Sequence, residues 1–330
     1  MNTPAGEARL RIVPGVSTIR EAQRFLAKYF GPTRLIAAPF LSQRTSKNVY
    51  LKLEMELPTG SFKVRGAVYA LAQRMNRGPI KEVVACSTGN HGAAVAYAAK
   101  QFGIKAKIFL PTNCNPVKRG RIAALGAAIV ESGGSDLASA FTMTAEYAKQ
   151  PGVFFLNDAT DEDLPAGPAT IGSEILEQLP ETSAIVVPMG DTALIRGVAA
   201  AAKQIAPQVK IIGVQAEGAP SYYLSWKEGK VVGMETCDTI ADGLATRTPV
   251  AENVREVKNV VDDVVLVSEE QMLRAIRTLL VEEHVLAEPA GAASTAALLN
   301  GGIECGDRVA LVVSGANISR EVLRQAINNT

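Results

Sequence analysis

The stretch VVACSTGNHGAAVAYAAKQFGIKAKIFL, Val83 to Leu110, decides the fold. VVACS at 83–87 reads as a strand, AAVAYAAKQF as an amphipathic helix, and AKIFL at 106–110 as a second strand. The pattern continues with a helix through VKRGRIAAL, the strand AAIVE at 127–131, a helix from Asp136 to Lys149, and VFFL at 153–156. Repeated βαβ units of this kind imply a parallel sheet covered on both faces, with right-handed crossovers. A second series begins near Gly167, with a helix to Leu179, the strand AIVVP at 184–188, a helix to Ile205 and the strand IIGVQ at 211–215. Helices at 268–284 and 289–299 and the strand RVALVVS at 308–314 complete it. Residues 218–262 carry turn signals and few periodic runs, so they are expected to be mostly connecting structure.

The 330 residues are enough for about two domains and a substantial buried core. Charged residues make up 20% and the net charge is +1, which leaves no electrostatic footprint for nucleic acid or an anionic membrane and points to small-molecule partners. The first residues, MNTPAGEARL, lack a secretory pattern, and no apolar run reaches the about 18 residues of a membrane span; a cytoplasmic protein is expected. Cys86, Cys114, Cys237 and Cys305 form no CxxC pair, so reduced thiols are expected and no metal site is predicted. Only two histidines, His91 and His284, are present, which argues against a His-rich metal centre.

Five segments carry candidate chemistry or helix-start roles. LPTGSFKVRGA, Leu57 to Ala67, sets Lys63 among small and hydroxylated residues just before a predicted helix. A lysine amine becomes a useful nucleophile when its pKa is lowered or a carbonyl is handed to it, and the segment reads as the anchor of an aldehyde cofactor. A lone lysine at a helix start is, however, more commonly a solvated side chain. CSTGNHGAA follows a strand and opens a helix, so Ser87, Thr88, Gly89, Asn90 and His91 stand where free backbone N–H groups face a ligand. Its hydroxyls and amide suit a carboxylate, and a plain helix cap accounts for it equally well.

VVPMGDTALIRG, Val186 to Gly197, is another strand-to-helix loop, in which the backbone amides of Gly190 to Leu194 could cup a phosphate and Thr192 could add a donor. A simple Asp/Thr cap is the alternative. Asp191 is awkward beside a phosphate: two like charges about 4 Å apart cost about 1 kcal/mol even in water, so its carboxylate is expected to point outward or cap the helix. VVSGANIS places Ser314 at the carboxyl end of the last strand, where open parallel sheets bind ligands. In AEPAGAAS, Glu288 opens a helix and is expected to favour its dipole.

These segments in this order resemble the fold type II pyridoxal-phosphate enzymes, and in particular the threonine/serine dehydratase and serine racemase group. The resemblance runs from KLEMELPTGSFK through IADGLATRTP and AEPAGAAST to the final strand. It implies a tryptophan synthase β-like α/β fold: two open, mostly parallel α/β domains with pyridoxal 5'-phosphate between them. Residues 1–74 and 157–330 would form a large cofactor-binding domain, and 75–156 a small domain that grips the substrate. Lys63 would carry the cofactor and Phe62 would lie against it. Asn90 would bond the ring hydroxyl, Gly190, Asp191, Thr192, Ala193 and Leu194 would hold the phosphate, and Ser314 would meet the pyridine nitrogen. Ser87, Thr88, Gly89, Asn90 and His91 would hold the substrate carboxylate.

The chain departs from the resemblance at three places. GDTA replaces a run of glycines in the phosphate loop. Thr88, the second candidate catalytic residue beside Lys63, stands where the racemases carry serine and threonine dehydratases alanine. Tyr223 replaces an acidic residue beside Glu217 and Ser221, where some relatives bind a divalent cation. The implied reaction is β-elimination from a β-hydroxy amino acid such as threonine or serine, giving a 2-oxo acid and ammonia. A bulkier substrate (phenylserine or hydroxyaspartate), racemisation and β-replacement are the enzymatic alternatives, and a noncatalytic binding protein on the same fold is another. An amino-acid substrate is the expected partner, and a homodimer is an open expectation.

Overall fold

A computed structural model of the chain describes residues 14–87, 89–112, 116–134 and 137–328. The amino end supplies α1 (Val16–Leu26), β1 (Leu35–Ala37), α2 (Pro39–Thr45) and β2 (Asn48–Leu53), all before the alternation that starts near residue 80. Next comes α3 (Lys63–Asn76), whose first residue is the candidate lysine. The predicted βαβ series then follows: β3 (Glu82–Cys86), α4 (Asn90–Phe102), β4 (Lys105–Leu110), α5 (Pro116–Ala124), β5 (Ala128–Glu131), α6 (Leu137–Tyr147) and β6 (Val153–Phe155). The second series comprises α7 (Ala166–Gln178), β7 (Ala184–Pro188), α8 (Ala193–Ile205), β8 (Lys210–Ala216), α9 (Ser221–Glu228), α10 (Ala251–Val260) and β9 (Asp263–Val267). It ends with α11 (Glu269–Val281), α12 (Pro289–Leu299), β10 (Arg308–Val313) and α13 (Arg320–Asn328).

The expectation of mostly connecting structure over 218–262 is corrected by α9 and α10. In α10, Val254, Val257 and Val260 form a buried stripe that the intervening charged residues obscure in the sequence. Tertiary burial of that stripe, rather than helix propensity, holds so short a helix.

Two sheets organise the chain. One has six strands in the order β1-β2-β10-β7-β8-β9, all parallel except the edge pair β1 and β2. The other has four parallel strands in the order β5-β4-β3-β6. Central strands in parallel sheets are buried on both faces, which is why β7 reads AIVVP and is buried throughout. Each fully buried valine or isoleucine contributes about 1.5–3 kcal/mol relative to exposure. Separate apolar clusters pack the two faces of the larger sheet, one around Leu311 and Val186 and one around Ile185 and Val312.

Strand order fixes where a ligand can enter. In the larger sheet the chain winds one way through β7, β8 and β9, while β10 lies on the other side of β7. In the smaller sheet β3, β4 and β5 run one way and β6 lies across β3. Open parallel sheets form a crevice at the carboxyl ends of strands where the winding reverses. The two crevices here fall at β7/β10 and at β3/β6.

Candidate active site

Loops from both crevices line one cavity. The loop after β3 contributes Cys86, Ser87, Gly89, Asn90 and His91, and the segment after β6 contributes Asp158. The loop after β7 contributes Gly190, Asp191, Thr192, Ala193 and Leu194, and the end of β10 contributes Ser314. Phe62, Lys63 and Glu288 complete the parts used below. The candidate residues described by the structure therefore converge, although they come from four distant stretches of sequence. Thr88 lies outside the described residues.

Lys63 is brought to this cavity by a turn tied to the end of β10. Phe62 N donates to Ser314 O at 3.0 Å, and Ala316 N donates to Gly60 O at 3.0 Å. Gly60 adopts φ +71, a left-handed conformation that glycine takes without penalty, and a Cβ there would meet Asn317 Oδ1 at 2.7 Å. The turn thus explains the PTGS sequence in front of the lysine: it clamps the start of α3 against the last strand.

Asp158 Oδ2 lies 2.5 Å from Lys63 Nζ. Burial pushes the Lys63 ammonium down, but the carboxylates of Asp158, Asp191 and Glu288 outweigh it, and its pKa stands above that of a free lysine. Burial likewise works against the Asp158 carboxylate, yet His91 and the adjoining ammonium hold it well below the usual carboxylate range. Without a bound carbonyl, Lys63 is therefore a charged ammonium held by Asp158.

His91 is tied on one side, with Nε2 2.8 Å from the Leu156 carbonyl. A carbonyl only accepts, so Nε2 carries the proton, and Nδ1 is left buried without a hydrogen-bond partner, 3.9 Å from Asp158 Oδ2. Burial first, then Lys63, pushes its pKa down against the pull of Asp158. The Cys86 thiol, pushed up to about 12 mainly by burial, is not a nucleophile at neutral pH.

Two helix N-termini open onto the cavity. Neither α4 nor α8 has a side-chain cap, so first-turn N–H groups remain available to an anion. At α8 the residue before the helix is Thr192, which adopts φ 72; its hydroxyl donates to the Asp191 carbonyl at 2.6 Å and does not cap the helix. A Cβ at Gly190 would lie 2.1 Å from the Gly243 carbonyl oxygen, so only glycine fits there. The expectation that Asp191 points outward or caps α8 is corrected: it lines the cavity and accepts a bond from Thr246 Oγ1 at 2.9 Å. Burial, with Asp158 adding to it, pushes the Asp191 carboxyl up to about 6.

Asn90 stands in a polar relay. Its amide donates to Glu288 Oε1 at 2.6 Å, and its carbonyl accepts from Asn317 Nδ2 at 2.6 Å, which also donates to the Thr59 carbonyl. Glu288 directly precedes α12 but makes no side-chain cap bond, so its expected service to the helix dipole is only part of its place; it also holds Asn90. Ser87 Oγ accepts from Gly89 N at 3.2 Å.

Sequence reasoning missed Asp158 and Asn317. Asp158 follows β6 at the reversal of the smaller sheet, and Asn317 follows β10 at that of the larger one. Strand order was the signal that could have singled out both.

The donor set fits pyridoxal phosphate. Such a group needs an amine for its aldehyde, a partner for its ring nitrogen, an apolar neighbour for its ring and donors for its phosphate. The cavity presents the Lys63 amine, the buried Ser314, the Phe62 ring with Lys63 Nζ 5.6 Å from its centroid, and the uncapped start of α8. Asp191, in the loop before α8, disfavours a phosphate.

Comparison with known proteins agrees with this fit. A family model described as pyridoxal-phosphate dependent enzyme matches residues 26–315. The L-threonine ammonia-lyase of Thermotoga maritima is 39% identical over 310 residues, which is 94% of this chain and 77% of that protein. The processed form of threonine deaminase isoform 2 from Solanum lycopersicum superimposes with a TM-score of 0.91 at 30% identity, covering 100% of this chain and 96% of the other. Maize serine racemase gives a TM-score of 0.89 at 30% identity, covering 95% and 96%. A lysine amine, a strand-end serine and an open helix start around one cavity, on a fold shared across nearly the full length of such proteins, establish that this chain belongs to the pyridoxal-phosphate-dependent enzymes.

Proposed function

We propose that the protein is a hydroxy amino acid ammonia-lyase that dehydrates L-threonine or L-serine to a 2-oxo acid and ammonia. The observation that carries this reading is the convergence of Lys63, Ser314 and the two open helix starts on one cavity. The L-threonine ammonia-lyase relative supports the choice of reaction. Bound pyridoxal phosphate supplies an aldehyde that links to amines and an electron-withdrawing ring that loosens the bonds at the attached carbon.

The protein's own groups do the rest. Lys63 would hold the cofactor through its amine, and that amine, when free, would accept the proton from the substrate Cα. The adjoining Asp158 carboxylate stabilises the resulting ammonium, which makes Lys63 a stronger proton acceptor. The first turn of α4, with Ser87 and Gly89 to His91, binds the substrate carboxylate and fixes the α-proton toward Lys63. The loop before α8 and the start of that helix, Gly190 to Leu194, would bind the phosphate, and Ser314 would meet the ring nitrogen as a neutral partner.

We assign residues 1–74 and 157–330 to the cofactor-binding domain and 75–156 to the substrate-gripping one, which is supported by the strands each stretch gives to its sheet. Among the described residues no helix is long and apolar enough to cross a membrane. A cytoplasmic location is supported by the free cysteines Cys86, Cys237 and Cys305. A homodimer is the assembly to test by light scattering.

The deciding assay incubates purified holoprotein with L-threonine, L-serine and their D-isomers and measures 2-oxo acid and enantiomer together. Oxo acid from the L-isomers supports the lyase. Enantiomer without oxo acid would replace it with racemisation, a reading to which the likeness to maize serine racemase gives some support.

A further inference from the structure

The cavity is unusually anionic for one that must take a phosphate and a substrate carboxylate. Among its described lining residues the only lysine or arginine is Lys63, whereas four carboxylates line it: Asp158, Asp191, Asp242 and Glu288. His91 adds no charge at neutral pH, because its one ring proton is directed at the Leu156 carbonyl and burial holds its pKa down. Both incoming anions must therefore be met by backbone N–H groups at α4 and α8.

Two of the four act on the lysine that must meet the substrate: Asp158 by direct contact, and Asp191 through its charge in the same cavity. Asp158 Oδ2 lies 2.5 Å from Lys63 Nζ, the atom that must reach the substrate Cα. Asp191 is held in the same cavity by its bond from Thr246 Oγ1 at 2.9 Å. The substrate Cβ is one bond from Cα, so a group on Cβ lies within a few bond lengths of the atom that Asp158 touches. A hydroxyl there can donate to a carboxylate. A second substrate carboxylate cannot, and no further cationic side chain among the described lining residues offsets its charge. Repulsion between two charges about 4 Å apart reduces binding about fivefold per pair even in water, and more where water is thinned out.

We infer that Asp158 and Asp191 are specificity-determining residues that exclude amino acids with an anionic group on Cβ, so that the enzyme takes β-hydroxy amino acids with an uncharged remainder and rejects 3-hydroxyaspartate. The inference rests on the proposed β-elimination and narrows its substrate class.

The test compares kcat/KM for L-threonine and L-3-hydroxyaspartate in the holoenzyme, in Asp158→Asn and in Asp191→Asn. Asparagine keeps the size and the acceptor oxygen while removing the charge. The ratio of the two constants cancels any general loss of activity from disturbing Lys63. Threonine is expected to be preferred by at least about tenfold in the wild type, and the preference to fall about fivefold in each variant. Equal use of both substrates by the wild type, or an unchanged ratio in both variants, overturns the inference and leaves the lyase reading standing.

A binding measurement separates the two claims. L-alanine and L-aspartate carry no β-hydroxyl to eliminate, and calorimetry on the holoenzyme gives the dissociation constant of each. Alanine binding more tightly, with a gap that narrows in the variants, supports the inference even if neither hydroxy amino acid yields oxo acid. Equal affinities overturn it.

Discussion

Replacing Arg65 with methionine tests how the chain holds its active-site lysine. Arg65 is buried two residues after Lys63, in the first turn of α3. Its guanidinium grips Glu54 through Nε–Oε2 at 2.8 Å and Nη2–Oε1 at 2.9 Å, grips Glu174 through Nη1 and Nη2, and donates to Thr170 Oγ1 at 2.8 Å. Lys52 Nζ donates to Glu174 Oε2 at 2.6 Å, so two cations and two carboxylates neutralise one another in the interior. Methionine approximates the volume and leaves one negative charge without a counterpart. Breaking a buried pair in this way costs about 3–5 kcal/mol, a large share of the about 5–15 kcal/mol that holds a typical protein together.

Urea unfolding followed by the fluorescence of the single tryptophan, Trp226, measures the loss. Its pH dependence carries a second signature. Burial opposes the Glu174 carboxylate, but Arg65 and Lys52 hold its pKa below the ordinary value, so its stabilisation is present above the unfolded-state pKa and is lost as pH falls through the folded one. Without Arg65 the Glu174 carboxyl loses the larger part of that hold and its pKa moves up, so the variant's deficit is widest near neutrality and shrinks toward acid pH. Adding Glu174→Gln restores charge balance and should recover part of the loss. A deficit below about 1 kcal/mol, or one independent of pH, would refute the reasoning.

Two other predictions concern groups near the site. Burial, with Asp163 adding to it, pushes the Asp161 carboxyl from 3.8 up to about 6; the folded state binds the extra proton, so wild-type stability falls as pH rises through that window. Asp161→Asn keeps an acceptor for Leu164 N and Asp163 N and should be more stable at neutral pH by about 3 kcal/mol, with a flatter profile between the two values; thermal unfolding across pH checks this. In Gly190→Ala, a Cβ 2.1 Å from the Gly243 carbonyl forces the phosphate loop to move. Cofactor affinity, read by fluorescence titration, should fall about tenfold or more for the loss of even one good bond to a charged group; an unchanged affinity would mean that this loop does not hold the phosphate.

Much of the fold was legible because parallel strands are buried on both faces and read as short apolar runs. AIVVP at 184–188 matches β7 residue for residue, and the helix expected over 289–299 matches α12. The loops that carry Ser87, Gly190 and Ser314 were legible for the same reason, since each sits where an apolar run stops. What stayed hidden depends on partners distant in sequence. Arg65 meets Glu174 across 109 positions and Lys63 meets Asp158 across 95, and no local pattern encodes either pairing. The orientation of Asp191 was hidden by a backbone detail. Thr192 takes a left-handed conformation as the residue preceding α8, leaving Asp191 one position outside the cap and facing the cavity. Likewise β9, DVVLV, is an outer strand that is only partly buried, and its pattern is correspondingly weak.

The central claim is that the shared cavity holds pyridoxal phosphate on Lys63. The most direct test reduces the purified holoprotein with borohydride, which fixes the cofactor to whichever lysine carries it, and maps the modified peptide by mass spectrometry. The account predicts the adduct on Lys63 and its absence in Lys63→Ala. An adduct on any other lysine, or none on protein incubated with the cofactor, would contradict it.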